Sequence, residues 1–216
     1  NMVLGRCCVF VPIGNGRKMN NIFKFDPVEH KYYLDDKEMP SVTRIIEPLN
    51  NFSRIHPDIL QAKRQAGTDI HETIKLWFDG TLDETNLAEG NKIALDLFIA
   101  WFDGLGFGNL TEYEKPIYHK QLKYGGTPDL VFDKAIVDIK TAFSKERELS
   151  CAIQLSAYAK LFPDFPSKLL YILHLDIIKK RYQFINVKQK QGWSMFRFLY
   201  DYYKAGEKIK SWKRLS

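Results

Sequence analysis

Gly125-Gly126-Thr127-Pro128-Asp129-Leu130-Val131-Phe132, followed by Ala135-Ile136-Val137-Asp138-Ile139-Lys140-Thr141, is the stretch on which the reading of the fold turns. The two glycines read as a bend or bulge. Thr127 to Phe132 and Ala135 to Thr141 then read as successive strands, being short apolar runs set off by breakers. A carboxylate, Asp129, sits in the first. In the second, Asp138 and Lys140 are two apart and so share one face of the strand. The apolar residues before Asp138 place this strand near the centre of a sheet, where a charge is costly unless it is paired or binds metal.

Upstream, Ile22 to Phe25 alternates as a strand does, Asp26-Pro27 turns, and Lys31 to Leu34 is a second short strand. Ser41 is the expected cap of a helix with Val42, Ile45, Ile46 and Leu49 on its apolar side. Pro57 opens another helix that runs through His71 to Gly80. A third is expected over Thr85 to Asp103, with Ile93, Leu97, Ala100 and Trp101 at helical spacing. Leu110 to Tyr118 reads as one strand. Downstream, Arg147 to Phe162 is helical, Lys168–Asp176 and Arg181–Val187 form a hairpin around Lys179-Lys180, and a last helix spans Gln189 to Lys213. Its stripe of Trp193, Phe196, Tyr200 and Tyr203 reads as core. The order helix, three strands, helix, strand pair predicts an α/β fold with a central mixed sheet flanked by helices.

The chain has 216 residues, 45% of them apolar, enough for one core in a single domain over residues 19–216. Residues 1–18, with the short apolar stretch Cys7 to Ile13 interrupted by Pro12, read as an N-terminal extension; an extra edge strand is the competing reading. A chain starting at Met19 is then expected to fold and act unchanged. No segment approaches the ~20 apolar residues of a membrane span. Three cysteines, two of them adjacent, make neither a disulfide framework nor a four-ligand zinc or iron–sulfur site, and point to a reducing cytoplasm. The net charge of +6 suits a polyanionic partner such as DNA.

Taken singly, each polar feature has an ordinary structural explanation. Asp129 could cap a turn, Asp138 and Lys140 could be a structural ion pair, and Gln154 and Tyr158, one helical turn apart, could be helix surface. Taken in order they converge. Pro128-Asp129, Asp138-Ile139-Lys140 and Gln154 to Tyr158, preceded by Gly67-Thr68-Asp69-Ile70-His71, resemble the RecB-like branch of the PD-(D/E)xK nuclease superfamily. The opening Phe25 to His30, Tyr32-Tyr33-Leu34 and Pro40-Ser41-Val42-Thr43 resembles its phage- and bacterium-encoded exonuclease-like members. The resemblance covers recognisable motifs from Ile22 to Tyr158.

It implies a restriction-endonuclease-like core (αβββαβ) and a divalent-metal-dependent DNA nuclease. His71, Asp129, Asp138 and the main-chain carbonyl of Ile139 are the implied metal ligands. An oxygen-rich set suits Mg²⁺ or Mn²⁺, and the imidazole favours Mn²⁺ at least equally. Lys140 would orient the attacking water or stabilise charge on the phosphate. Gln154 and Tyr158 would position substrate or water, and Glu114 is a possible further acid. Asp129 and Asp138 are expected close together in a partly buried cleft beside His71. Mutual repulsion should make at least one of them hold its proton to higher pH than a free Asp, with Lys140 opposing.

Lys179, Lys180, Arg181, Lys204, Lys208, Lys210 and Lys213 are candidate DNA-backbone contacts, although a solvated charged face is the more common explanation for any one of them; binding is expected to tolerate sequence and weaken with salt. There is no cysteine set for an iron–sulfur cluster and no Gly-rich phosphate-binding loop with its Lys-Ser/Thr, hence no ATP site. Processivity would then need a partner, such as a helicase, single-strand-binding or recombination protein, an oligomeric ring, or a threaded strand. Two other classes compete: a non-catalytic nucleic-acid-binding module on the same scaffold, and an assembly protein whose acids form an ion-pair network.

Overall fold

Alternation in the first strands produces an antiparallel three-stranded sheet. In the computed structural model, which describes residues 22–50, 56–106, 108–163, 168–187 and 189–212, β1 (Phe23–Asp26) pairs with β2 (Lys31–Leu34). β3 (Lys37–Met39) extends the sheet. The sequence reading missed β3 because two of its three residues are charged and exposed. The residues read as an N-terminal extension, and Lys213, lie outside the described residues.

Ser41 caps α1 (Val42–Ile46) as expected, its side chain accepting from the Arg44 N–H. Pro57 opens α2 (Pro57–Phe78), where its missing N–H costs nothing. The helix read over Thr85 to Asp103 is instead a 3₁₀ turn at Glu84–Asn86 followed by α3 (Glu89–Asp103). Its buried face is Ala94, Leu95, Phe98 and Trp101; Ala100 is exposed and Ile93 and Leu97 only half-buried. Phe98 anchors that face, meeting Trp77 and Phe78 edge-to-face and stacking on Phe102.

The strand read over Leu110 to Tyr118 is two strands, β4 (Leu110–Tyr113) and β5 (Ile117–Tyr118). Glu114 breaks it with a left-handed backbone, φ 42°, and Pro116 cannot donate to a ladder. β6 (Gly125–Gly126) pairs with β5 in a two-stranded sheet, so the glycines are a short strand rather than a bend. β7 is shorter than expected, Leu130–Phe132, and Asp129 stands just before it; β8 is Ala135–Lys140. α4 (Lys145–Ala159), the hairpin β9 (Leu169–Asp176) and β10 (Arg181–Val187), and α5 (Gln189–Trp212) follow close to expectation.

The main sheet runs β10-β9-β8-β7-β4, antiparallel except for the parallel pair β8–β9 that α4 connects. It is the expected mixed α/β sheet with helices on both faces. On one face Val137, Ile139, Leu130 and Phe132 pack against Ile70 and Ile74 of α2 and Phe98 and Trp101 of α3. On the other, Ile136, Val131, Leu170 and Ile172 pack against Leu155 and Ala159 of α4. Each such buried aliphatic side chain contributes about 1.5–3 kcal/mol. A further layer forms where Phe196, Leu199 and Tyr200 of α5 meet α1 and α4, so the aromatic stripe of the last helix is core, as read.

The glycine pair is required for space. A Cβ on Gly125 would overlap Cγ and Cδ1 of Tyr32, and one on Gly126 would lie 2.7 Å from Tyr158 Cε1. Tyr32 is buried and its hydroxyl is tied to Thr127 Oγ1 at 2.7 Å, so the ring cannot step aside. Gly125→Ala should therefore destabilise the fold by about 1–3 kcal/mol through overpacking. A urea midpoint equal to that of the unsubstituted chain would show that Tyr32 is not seated on this backbone.

Candidate active site

Side chains alternate across β8, so Ala135, Val137 and Ile139 face α2 and α3 while Ile136, Asp138 and Lys140 lie on the α4 side. Asp138 is 1% exposed and Lys140 26%, with Lys140 Nζ 2.6 Å from Asp138 Oδ2. The two form a close ion pair, and Asp138 Oδ2 has no further polar partner among the described residues.

Asp129 joins the two faces of the sheet at this end. Its Oδ2 accepts from the Ile139 N–H at 2.6 Å. Its Oδ1 lies 3.7 Å from His71 Nδ1 on α2. The break after β4 brings in Glu114, whose N–H donates to the Asp129 carbonyl at 2.9 Å and whose Oε1 lies 3.4 Å from His71 Nδ1. Between these groups is a cavity of about 10 Å³, room for one water or one ion, lined by His71, Lys75, Tyr113, Glu114, Asp129 and Ile139 among others. On α4, the Gln154 Nε2 donates to Tyr158 Oη at 3.0 Å, and both residues are buried.

Electrostatics follow from burial beside charge. Burial alone would lower the pKa of His71, but Asp129 and Glu114 outweigh it and raise it from 6.5 to about 9. Burial raises the Asp138 carboxyl above its ordinary value; Lys140 opposes and Asp129 adds to the rise. A carboxyl holding its proton to higher pH was expected, but like-charge repulsion is the lesser cause. Burial also works against the charge on Lys140, yet Asp138 and Asp129 prevail and hold its pKa above the ordinary 10.5. Burial pushes Tyr158 well above the usual phenol range.

A consequence is measurable without any ligand. A folded-state pKa raised from 6.5 to about 9 gives His71 a stabilising contribution that is full below pH 6.5 and lost as pH rises through 9. The raised Asp138 has the same sign, its contribution being lost above the ordinary carboxylate value. In chelator, the melting temperature should fall between pH 6.5 and 9, and His71→Gln should flatten that fall. A profile rising over this interval in the unsubstituted chain would contradict the assignment.

Carboxylates with an imidazole and a main-chain carbonyl are donors of the kind a hard divalent cation takes, and the cavity that His71, Glu114 and Asp129 line has room for one ion, though Asp138 does not line it. Among the described residues, no three His, Cys, Asp or Glu side chains are already gathered to hold an ion. Asp138 faces Lys140 instead.

The residues singled out from sequence therefore meet at one end of the sheet: His71, Glu114, Asp129, Asp138 and Lys140, with the Gln154–Tyr158 pair behind them. Lys179, Lys180 and Arg181 turn the chain from β9 to β10 at that same end, because β9 runs parallel to β8 with Lys140 opposite His174. Lys179 and Arg181 lie 3.9 and 3.8 Å from Asp176. Lys204, Lys208 and Lys210 stand on α5, one layer out from the sheet. Lys75 and Tyr113 were not anticipated. Lys75 is one helical turn beyond His71, a spacing that could have flagged it. Tyr113, whose hydroxyl donates to Asp79, gave no signal within an ordinary strand.

No family model matches the chain, and no curated protein matches it. Among solved structures, a crystal structure of an alkaline exonuclease (LHK-Exo) from Laribacter hongkongensis is similar at 15% identity and a TM-score of 0.46, over 82% of this chain and 92% of that one. The structure of LHK-Exo in complex with dAMP is similar at 14% identity and a TM-score of 0.44, with the same coverage. At that distance the reading of function rests on the residues themselves.

Proposed function

We propose that the chain is a divalent-metal-dependent deoxyribonuclease of the PD-(D/E)xK type, a RecB-like, exonuclease-like member that hydrolyses phosphodiester bonds. The observation that carries this is the convergence of His71, Glu114 and Asp129 on an ion-sized cavity, with the Asp138–Lys140 pair on the adjoining strand. His71, Asp129, Asp138 and the Ile139 carbonyl would hold Mg²⁺ or Mn²⁺, with Glu114 as a further ligand. Such a cation supplies polarisation of the phosphate, acidification of water and neutralisation of developing charge.

The chain's own groups have separable parts. Lys140 keeps its proton, so it acts as a charge and a donor toward water and phosphate and not as a base. Asp129 fixes the end of β7 against β8 through the Ile139 N–H and so sets the spacing of the acids. Gln154 donates to Tyr158 Oη, and the phenol retains its own proton to donate onward. Sequence is not read by such a site, which grips phosphates.

A non-catalytic DNA-binding scaffold is the second reading, favoured by the absence of a ready-gathered ligand trio among the described residues. Digestion of end-labelled linear and closed circular DNA with Mg²⁺, Mn²⁺ and chelator separates the two. Linear DNA should shorten with either cation, circles should persist, and chelator should stop the reaction. Binding without cleavage in both cations would establish the scaffold reading, and cleavage in chelator would overturn the role of the cation.

A further inference from the structure

We propose that α5 is the contact of a homodimer, its outer face packing antiparallel against the same face of a second copy of this chain. The proposal stands independently of the nuclease reading. α5 is apolar on two faces. Phe196, Leu199 and Tyr200 are buried where the helix meets α1 and α4. Met195, Phe198, Tyr202, Ala205 and Ile209 are all exposed. Their spacings of three, four, three and four residues make one continuous stripe, the seam along which two helices pack. A surface helix needs one apolar face to join its own core, and this helix has a second.

The stripe is complementary to itself. It carries two bulky rings, Phe198 and Tyr202, and one shallow place, Ala205 with Gly206 beside it. A Cβ on Gly206 would meet nothing within 4 Å, so this chain makes no use of the bare backbone there. Glycine inside a helix is nonetheless destabilising relative to alanine. An antiparallel copy that seats its Tyr202 on Ala205 and Gly206 also sets its Phe198 on Ile209, because Tyr202 is four residues beyond Phe198 and Ile209 four beyond Ala205. One stripe thus holds both the knob and the notch, as a two-fold contact between identical surfaces requires.

The extent of the patch agrees. Phe198 is 68% and Tyr202 64% exposed. An aromatic side chain offers about 150–250 Å², so the five residues present roughly 400 Å² per copy. A patch of that size marks a protein contact, and it is about half of the ~800 Å² per partner in a stable interface, whose remainder is polar rim. α5 lies on the α4 side of the sheet, across it from the helix that carries His71, so the contact does not cover the candidate active site.

Sedimentation velocity of the whole chain, freed of nucleic acid, should show the mass rising from 25.2 kDa toward twice that between about 1 and 200 μM. Added salt should not reverse the rise, because the contact is apolar. Phe198→Glu should weaken association at least tenfold and leave the melting temperature of the dilute chain unchanged. Gly206→Gln separates contact from folding: it should raise the melting temperature of the dilute chain through helix propensity, yet weaken association at least tenfold by filling the notch. Under mild oxidation, chains with Phe198→Cys should form a disulfide to chains with Ile209→Cys. A monomer at every concentration, association dispersed by salt, or association as tight in Phe198→Glu as in the unsubstituted chain would overturn the proposal. So would pairing of Phe198→Cys chains through position 198 with one another in preference to Ile209→Cys.

Discussion

Asp138→Asn should lose metal-dependent cleavage by roughly 10²- to 10³-fold or more while folding at least as well as the unsubstituted chain in chelator. The two halves of this expectation have one cause. Asp138 is buried at the centre of the sheet, and burial raises its pKa despite Lys140 2.6 Å away. An ionised carboxylate there is therefore strained by desolvation at neutral pH, and a neutral amide of the same shape relieves it, while Asp129 and the partial exposure of Lys140 limit what the ammonium loses. On the nuclease reading proposed above, function is the reason to keep the charge, an instance of stability traded for activity. Adding Mn²⁺ should raise the melting temperature of the unsubstituted chain, because a ligand that binds the native state stabilises it. The variant should show little of that rise. Thermal melts in chelator and in Mn²⁺, paired with single-turnover cleavage, read both halves. Cleavage at the unsubstituted rate in Asp138→Asn would sink the mechanism.

Lys140→Ala should behave in the opposite way on stability. Removing the ammonium leaves Asp138 buried without its counter-charge, a loss on the order of 3 kcal/mol, limited because the carboxyl can take up a proton. Cleavage should still fall by about 10²-fold or more, since the group acting on water and phosphate is gone. Yet cation binding should persist and its stabilising effect should grow, because the ammonium that competes for Asp138 Oδ2 has been removed. The decisive measurement is the rise in melting temperature with Mn²⁺. A smaller rise in Lys140→Ala than in the unsubstituted chain would mean that Lys140 helps hold the ion.

Much of this site was legible because its signals are local. Asp138 and Lys140 reveal their shared face by a spacing of two, and Gln154 and Tyr158 by a spacing of four. The Ser41 cap and the parallel unit β8–α4–β9 likewise follow from neighbours in sequence. What was hidden depends on distant contacts. Nothing adjacent to Glu114 announces a left-handed backbone that aims its carboxylate at His71. Nothing near Gly125 and Gly126 announces Tyr32 and Tyr158, which come from elements far away in the chain and demand bare backbone there. In α3 several apolar residues satisfy helical spacing, and only the sheet beneath selects Ala94, Leu95, Phe98 and Trp101 over Ile93, Leu97 and Ala100. The dominance of burial over repulsion at Asp138 required knowing how completely β8 is covered.

β7 and β8 pair as a hairpin, Leu130 opposite Val137 and Val131 opposite Ile136, with only Asp133 and Lys134 between the strands. This has a consequence for the order of folding. A hairpin so tight closes within about 1–10 μs, long before contacts from distant sequence are made. Asp129 and Asp138 are therefore drawn together early, when His71 and the helices that cover the sheet are still unplaced. Lys140 sits on the same strand and arrives at the same moment, so the nascent hairpin carries its own counterion. A lysine supplied from another part of the chain could serve the finished site equally well, but it would leave two acids facing each other throughout assembly.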